Sequence, residues 1–162
     1  MTNTRSDWEQ RFQSLSIESR AFIDGQYRAA LSGDTFECIS PVDGRLLANV
    51  ASTDEADANE AVAVARRTFE SGIWANLAPA ERKRILIRFA DLILAHQEEL
   101  ALLETLDMGK PINDSMNIDI PATANAIRWS AEAIDKIYDE VAATPHDQLG
   151  LITREPCGVV AA

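Results

Sequence analysis

Two cysteines, two histidines and an aspartate close to a glycine–lysine pair are the residues of this 162-residue sequence whose types could do chemistry. A thiol acts as nucleophile or metal ligand through its thiolate, which needs a cationic or helix-terminal neighbour. Cys157 stands between Pro156 and Gly158 with no evident base, and Cys38, with Phe36 and Ser40, alternates with Glu37 and Ile39 in a strand-like run. Both read as small packed residues. His96 and His146 are isolated, and no His-Glu-x-x-His or Cys-x-x-Cys pair is present, so a zinc site is not expected. Gly109-Lys110 lacks the upstream glycine of a phosphate loop and follows a helical pattern, so it reads as a helix stop. There is no Gly-x-Gly-x-x-Gly turn and no Gly-x-Ser-x-Gly elbow. Asp107 is the odd carboxylate. It falls in the last turn of a helix, where the dipole disfavours an anion, and so calls for Lys110 or a bound cation.

These residues must be positioned by short elements. Trp8, Phe12 and Leu15 share one helical face in an N-terminal arm over 1–19. Ala21-Phe22-Ile23, Asp24-Gly25 and Gln26-Tyr27-Arg28 read as a hairpin, and Thr35 to Ala51 reads as a second one turning at Pro41-Val42-Asp43-Gly44. Ser52 and Glu55 have capping-box spacing for a helix with Ala58, Ala61, Val62, Ala65 and Phe69 on one face and Gly72 at its end. Pro79 opens a helix whose predicted buried stripe is Ile85, Leu86, Phe89, Leu92 and Ile93, with Glu81, Arg82, Lys83 and Arg88 facing water. A third helix spans Glu98 to Met108. A fourth is predicted from about Asp119 to Val141, with Ala124, Ile127, Ala131, Ile134 and Tyr138 on one face. The alternation from Leu149 to Arg154 predicts a half-exposed strand, and Val159-Val160-Ala161-Ala162 the opening of a buried parallel strand.

Composition narrows the class. Apolar residues make up 46%, enough for a packed core, and the net charge of −11 disfavours nucleic acid or an anionic membrane as a partner. The sequence has no secretory leader pattern and no apolar run near the ~18–20 residues of a membrane span. Two distant cysteines make no disulfide framework, which fits a reducing, cytoplasmic setting.

Several motifs in order carry a resemblance. Glu104-Thr105-Leu106-Asp107-Met108-Gly109-Lys110-Pro111 resembles the Glu-Thr-Leu-Asp-x-Gly-Lys-Pro signature of aldehyde dehydrogenases. Phe22-Ile23-Asp24-Gly25, Thr35-Phe36 and Pro41-x-x-Gly44 resemble that family's opening hairpins. Ala61 to Gly72 with Trp74, and Arg82 to Leu92, resemble its next helices. Arg128-Trp129-x-Ala131-x-x-Ile134-Asp135-Lys136 resembles its long helix, and Arg154-Glu155-Pro156-x-Gly158-Val159 the entry to its first nucleotide-binding strand.

The resemblance implies an α/β fold of which this sequence supplies the N-terminal part: an arm (1–19), hairpins and helices of the cofactor-binding domain (20–142), an oligomerisation arm strand (143–156) and the opening of a Rossmann-like sheet (157–162). It implies oxidation of an aldehyde to a carboxylic acid with NAD or NADP, through a cysteine nucleophile and a glutamate that activates water. Neither residue is in this sequence, since Cys157 falls at the variable position between Pro156 and Gly158. A monovalent cation is implied at a backbone carbonyl of Cys38 or Ile39 together with Asp107. The substrate tunnel is implied near Asp119, Ile120, Pro121, Ala122 and Trp129. A homo-oligomer, dimer or tetramer, is implied for the complete enzyme. Asp119-Ile120-Pro121 with Ala133-Ile134-Asp135-Lys136 looks most like bacterial γ-glutamyl-γ-aminobutyraldehyde dehydrogenases of polyamine breakdown, including putrescine degradation. Asp119 would then make the tunnel mouth acidic and favour a cationic amino-aldehyde. The 162 residues alone are expected to be inactive and to expose faces meant for other parts of the fold, with poor solubility. A different reading makes the chain a non-catalytic assembly module that pairs with a full-length subunit through its arm strand.

Overall fold

A computed structural model describes residues 4–162. Three two-stranded antiparallel hairpins accompany the helices, and no larger sheet forms among the described residues. Helix α1 (Arg5–Ser14) starts at a Thr4–Asp7 capping box, and its Arg11 pairs with Glu98 at 2.7 Å. Strands β1 (Ala21–Ile23) and β2 (Gln26–Arg28) turn at Asp24-Gly25, both with positive φ, the backbone that Asp-Gly favours in a two-residue hairpin. Strands β3 (Thr35–Ile39) and β4 (Leu46–Ala51) form the second hairpin, in which the register slips at a bulge between Cys38 and Ile39.

Helix α2 (Glu55–Glu70) begins at Asp54 rather than Ser52. The reciprocal cap is Asp54 with Asp57, the same spacing shifted by two residues, and carboxylates at a helix N-terminus favour it further. Its covered face also differs from the predicted stripe. Asp57 is 1% exposed and Ala61 and Val64 are half-buried, while Ala58, Val62 and Ala65 face outward. The reason lies in the hairpin beside it. The Leu31 amide donates to both Asp57 oxygens at 3.2 Å, and Arg28 makes a two-point contact with Glu60 at 2.8 and 2.7 Å. Polar attachment to the β2 side therefore sets the rotation of α2.

Helix α3 (Pro79–Ala95) packs antiparallel on α6 (Ile120–Ala133), which comes later in the chain. Lys83 reaches Glu132 at 2.7 Å and Asp135 at 3.1 Å near one end, and Arg128 pairs with Asp91 at 2.5 Å further along. Ala90, Ala124 and Ala131 are fully buried, and side chains this small let two helices approach closely. Lys83 is thus half-buried in an ion-pair network and does not face water freely. Conversely Ile85, Phe89 and Leu92 of the predicted stripe are 43, 51 and 48% exposed, and the covered side runs through Leu86, Ile87, Ala90 and Ile93.

Helix α4 (Gln97–Met108) buries Ala101, Leu102 and Leu106, and shares the core with Ile120, Ala124 and Ala131 of α6. It ends as the sequence requires, at Gly109 in the left-handed region (φ 77°), followed by Pro111. The fourth predicted helix starts earlier and stops earlier than expected. A short turn α5 (Ile112–Asp114) runs into a π-helical turn (Ser115–Asp119) and then α6, which ends at Ala133. Tyr138 lies beyond it and is exposed. Glu140 and Val141, read as the end of that helix, belong to strand β5 (Glu140–Ala142), which pairs with β6 (Gly150–Ile152) in a third hairpin. The β-branched Val141 and the Thr144–His146 loop with Pro145 favour extended backbone there. Arg154 holds this hairpin, with its guanidinium on the Tyr138 carbonyl and on Glu140. Val159–Ala162 pairs with no strand among the described residues, and Val160 is 75% exposed. A strand without a neighbour has no ladder to hold it extended.

Candidate functional site

The end of α4 is where the sequence concentrates its chemistry, and the second hairpin meets it there. Ser40, fully buried at the hairpin turn, donates its hydroxyl to the Leu106 carbonyl at 2.6 Å, satisfying a helix-end acceptor that has no intrahelical partner. Gly109 sits against Pro41: a Cβ there would come within 3.0 Å of the Pro41 ring, so both the backbone angle and the close approach require glycine.

Cys38 and Asp107 are brought together at this junction. The Cys38 thiol donates to the Asp107 Oδ1 at 3.2 Å, and that carboxylate holds the thiol pKa above its ordinary value of 9.0. An anion stabilises S–H over S⁻, the opposite of what a nucleophile needs. Cys38, Glu104 and Asp107 line a cavity of about 320 Å³, and the buried Glu104 Oε2 finds no hydrogen-bond partner among the described residues. Ile39 is 46% exposed beside the β-bulge. Among the described residues, no group of three His, Cys, Asp or Glu side chains is gathered as for a metal ion. Lys110 does not neutralise Asp107. It pairs with Asp119 instead, and this contact holds the Lys110 pKa above its ordinary value.

That pairing divides the five residues expected at a substrate tunnel. Asp119 turns to Lys110, whose ammonium offsets its charge. Ile120 is buried in the core and offers no surface. Pro121 is half-buried, Ala122 is exposed and Trp129 is 74% exposed, leaving these three on the open side of α6. A separate open groove of about 860 Å³ lies among Phe69, Trp74, Arg82, Arg154, Val159 and Val160. Cys157 is exposed, and its chain neighbours Pro156 and Gly158 line that groove. The described residues include no glycine-rich phosphate cradle. Sequence reasoning did not single out Asp57, Ser40 or Gln97. For Asp57 the signal was there, an Asp-x-x-Asp pair two residues after the Ser-x-x-Glu that was chosen.

Comparison with known proteins gives a consistent result. The profile of the aldehyde dehydrogenase family matches residues 27–162. The NADP/NAD-dependent aldehyde dehydrogenase PuuC of Escherichia coli K12 is 52% identical over 155 residues, which are 96% of this chain and 31% of PuuC. The structure of P. syringae indole-3-acetaldehyde dehydrogenase AldA with NAD+ and IAA superposes with a TM-score of 0.95 at 69% identity, covering 97% of this chain and 32% of AldA. A γ-glutamyl-γ-aminobutyraldehyde dehydrogenase from Burkholderia cenocepacia superposes with a TM-score of 0.93 at 55% identity, covering 94% and 31%. The chain thus spans about a third of the length of these relatives. The hairpins, the Gly109 helix stop and the long helix are the N-terminal part of one fold, and the chain belongs to the aldehyde dehydrogenase family.

Proposed function

We propose that this chain is the positioning part of an enzyme that oxidises an aldehyde, with water and NAD or NADP, to a carboxylic acid and the reduced cofactor. The observation that carries this is the junction of β3–β4 with the Glu104–Pro111 signature, in a chain whose relatives include NAD-bound aldehyde dehydrogenases. When bound, the cofactor accepts the hydride. The residues described here would hold the helix that flanks the substrate and would contact neither the hydride nor the acyl group. By itself the 162-residue chain has no activated nucleophile and would turn over no aldehyde.

The physiological substrate is proposed to be an amino-aldehyde of polyamine catabolism. Support comes from PuuC and the γ-glutamyl-γ-aminobutyraldehyde enzyme. The identity with AldA favours a second reading, an indolic or other aromatic aldehyde, and the exposed Trp129 on the same side of α6 as Ala122 would suit a flat ring. A monovalent cation at Asp107 and a carbonyl of Cys38 or Ile39 is supported by the β-bulge there and by the unpartnered Glu104 oxygen lining the same cavity. The hard oxygen donors fit Na+ or K+, with remaining ligands supplied from outside these residues. A cytoplasmic, homo-oligomeric enzyme fits two free cysteines and an exposed β5–β6 hairpin. The same hairpin would serve the assembly-module reading, in which the chain adds to a full-length subunit.

The test is a chimera in which this chain replaces the corresponding third of PuuC. A folded chimera that reduces NAD+ or NADP+ with aldehydes supports the reading. Higher kcat/KM for γ-glutamyl-γ-aminobutyraldehyde points to the amino-aldehyde, and higher kcat/KM for indole-3-acetaldehyde to the aromatic one. A folded chimera inert toward every aldehyde overturns it.

A further inference from the structure

The helical run from Ile112 to Ala133 contains a proline where an ordinary helix could not keep one. Pro121 has no N–H, and in α-helical register its ring would press on the Asn117 carbonyl four residues back. The chain meets this with the π turn at Ser115–Asp119, closed by the Ile120 amide donating to the Ser115 carbonyl five residues back. A wider turn inserts one residue into the register, so everything beyond it is rotated by about 100° relative to an uninterrupted helix. That rotation puts Ile120 and Ala124 in the core and leaves Ala122 and Trp129 on the open side.

A wider turn also disturbs the carbonyl ladder, and neighbouring side chains take up the acceptors. Gln97, at the start of α4, donates its amide to the Met116 carbonyl at 2.5 Å, and Asn117 donates to the Asn113 carbonyl at 2.7 Å. The Thr105 and Ser115 hydroxyls meet at 3.3 Å, with Ser115 fully buried. Lys110, fixed just past the Gly109 stop, ties the far end of the turn through Asp119. Three side chains from α4 and its end therefore grip one turn, at Ser115, Met116 and Asp119.

We propose that Gln97 and Lys110 are positioning residues that hold the π turn, and through it select which face of α6 is turned toward substrate. Resting on the aldehyde-oxidation reading, this makes them determinants of how bulky an aldehyde is accepted, although neither touches it. In this account Lys110 orients the helix that carries Ala122 and Trp129, and its charge serves Asp119.

Hydrogen exchange on the 162-residue chain tests the grip directly. Lys110→Met and Gln97→Leu should each speed exchange of the 115–122 segment by about tenfold, the effect of losing one part-buried hydrogen bond, while α3 and the hairpins keep their rates. Exchanging the charges, Lys110→Asp with Asp119→Lys, should restore protection. In the PuuC chimera the same single substitutions should raise KM for indole-3-acetaldehyde about tenfold over that for acetaldehyde, with kcat within about twofold. Unchanged exchange in 115–122, or faster exchange throughout the chain, overturns the proposal, as does an equal change in KM for both aldehydes. If the unsubstituted chimera turns over no aldehyde, the reaction reading fails, and the exchange result by itself decides whether these residues hold the turn.

Discussion

Helices α3 and α4 carry similarly apolar sequences, yet one closes its apolar face and the other leaves half of it open. In α4, Ala101, Leu102 and Leu106 are buried, the helix end is capped by Ser40 and Gly109, and the adjoining π turn is tied to it. In α3 only Ala90 is buried, and Ile85, Phe89 and Leu92 remain open. The difference teaches that an apolar stripe at helical spacing states a capacity for burial, whereas the partner decides which part is used. Around α4 the partners lie within these residues. For the outer stripe of α3 no covering element is found among them.

The comparison can be broken from the closed side first. Asp57→Ala removes a carboxylate that is 1% exposed and accepts the Leu31 amide, so it should cost about 3 kcal/mol in urea unfolding. A cost near zero would mean that α2 is not held by the hairpin. Gly109→Ala should cost about 2 kcal/mol, because a side chain there meets both a positive φ and the Pro41 ring.

The open side should respond very differently. Phe89→Ser with Leu92→Ser should change the stability of the 162-residue chain by no more than about 0.5 kcal/mol per site and should lower its binding of a hydrophobic dye. A loss of several kcal/mol would show that this face is covered after all.

Acid sharpens the surface contribution, which is the smallest. Arg20 holds the Glu18 carboxyl down at about 2, and Arg28 and Lys83 lower Glu60 and Glu132. A carboxyl whose folded pKa is depressed adds stability above its unfolded value, and that stability disappears as pH falls through the folded one. Thermal melting should therefore hold steady above the ordinary value of 4.5 and decline from there toward about 2, less steeply in high salt.

Legibility followed the same division. Both opening hairpins, the Pro79 start and the Gly109 stop were readable, because turn and cap residues act through their own backbone. The rotation of α2 was not, since Arg28 and Asp57 lie far apart in sequence and only the fold joins them. The end of α6 was missed because Ile134 and Tyr138 continue a helical spacing that Ala133 does not extend in space. Of the candidate site, the family resemblance placed a backbone carbonyl of Cys38 or Ile39 beside Asp107, but the bond from the Cys38 thiol to the Asp107 carboxylate was not legible, because only the fold joins residues 69 apart. The Lys110–Asp119 pair was hidden because the π turn alters the register between them.

We propose that these residues position an aldehyde oxidation whose reacting groups come from outside them. The direct measurement is NADH or NADPH formation from an aldehyde by the 162-residue chain, set beside the PuuC chimera that carries it. No product from the chain and sustained turnover by the chimera is the predicted result; turnover by the chain on its own would contradict it.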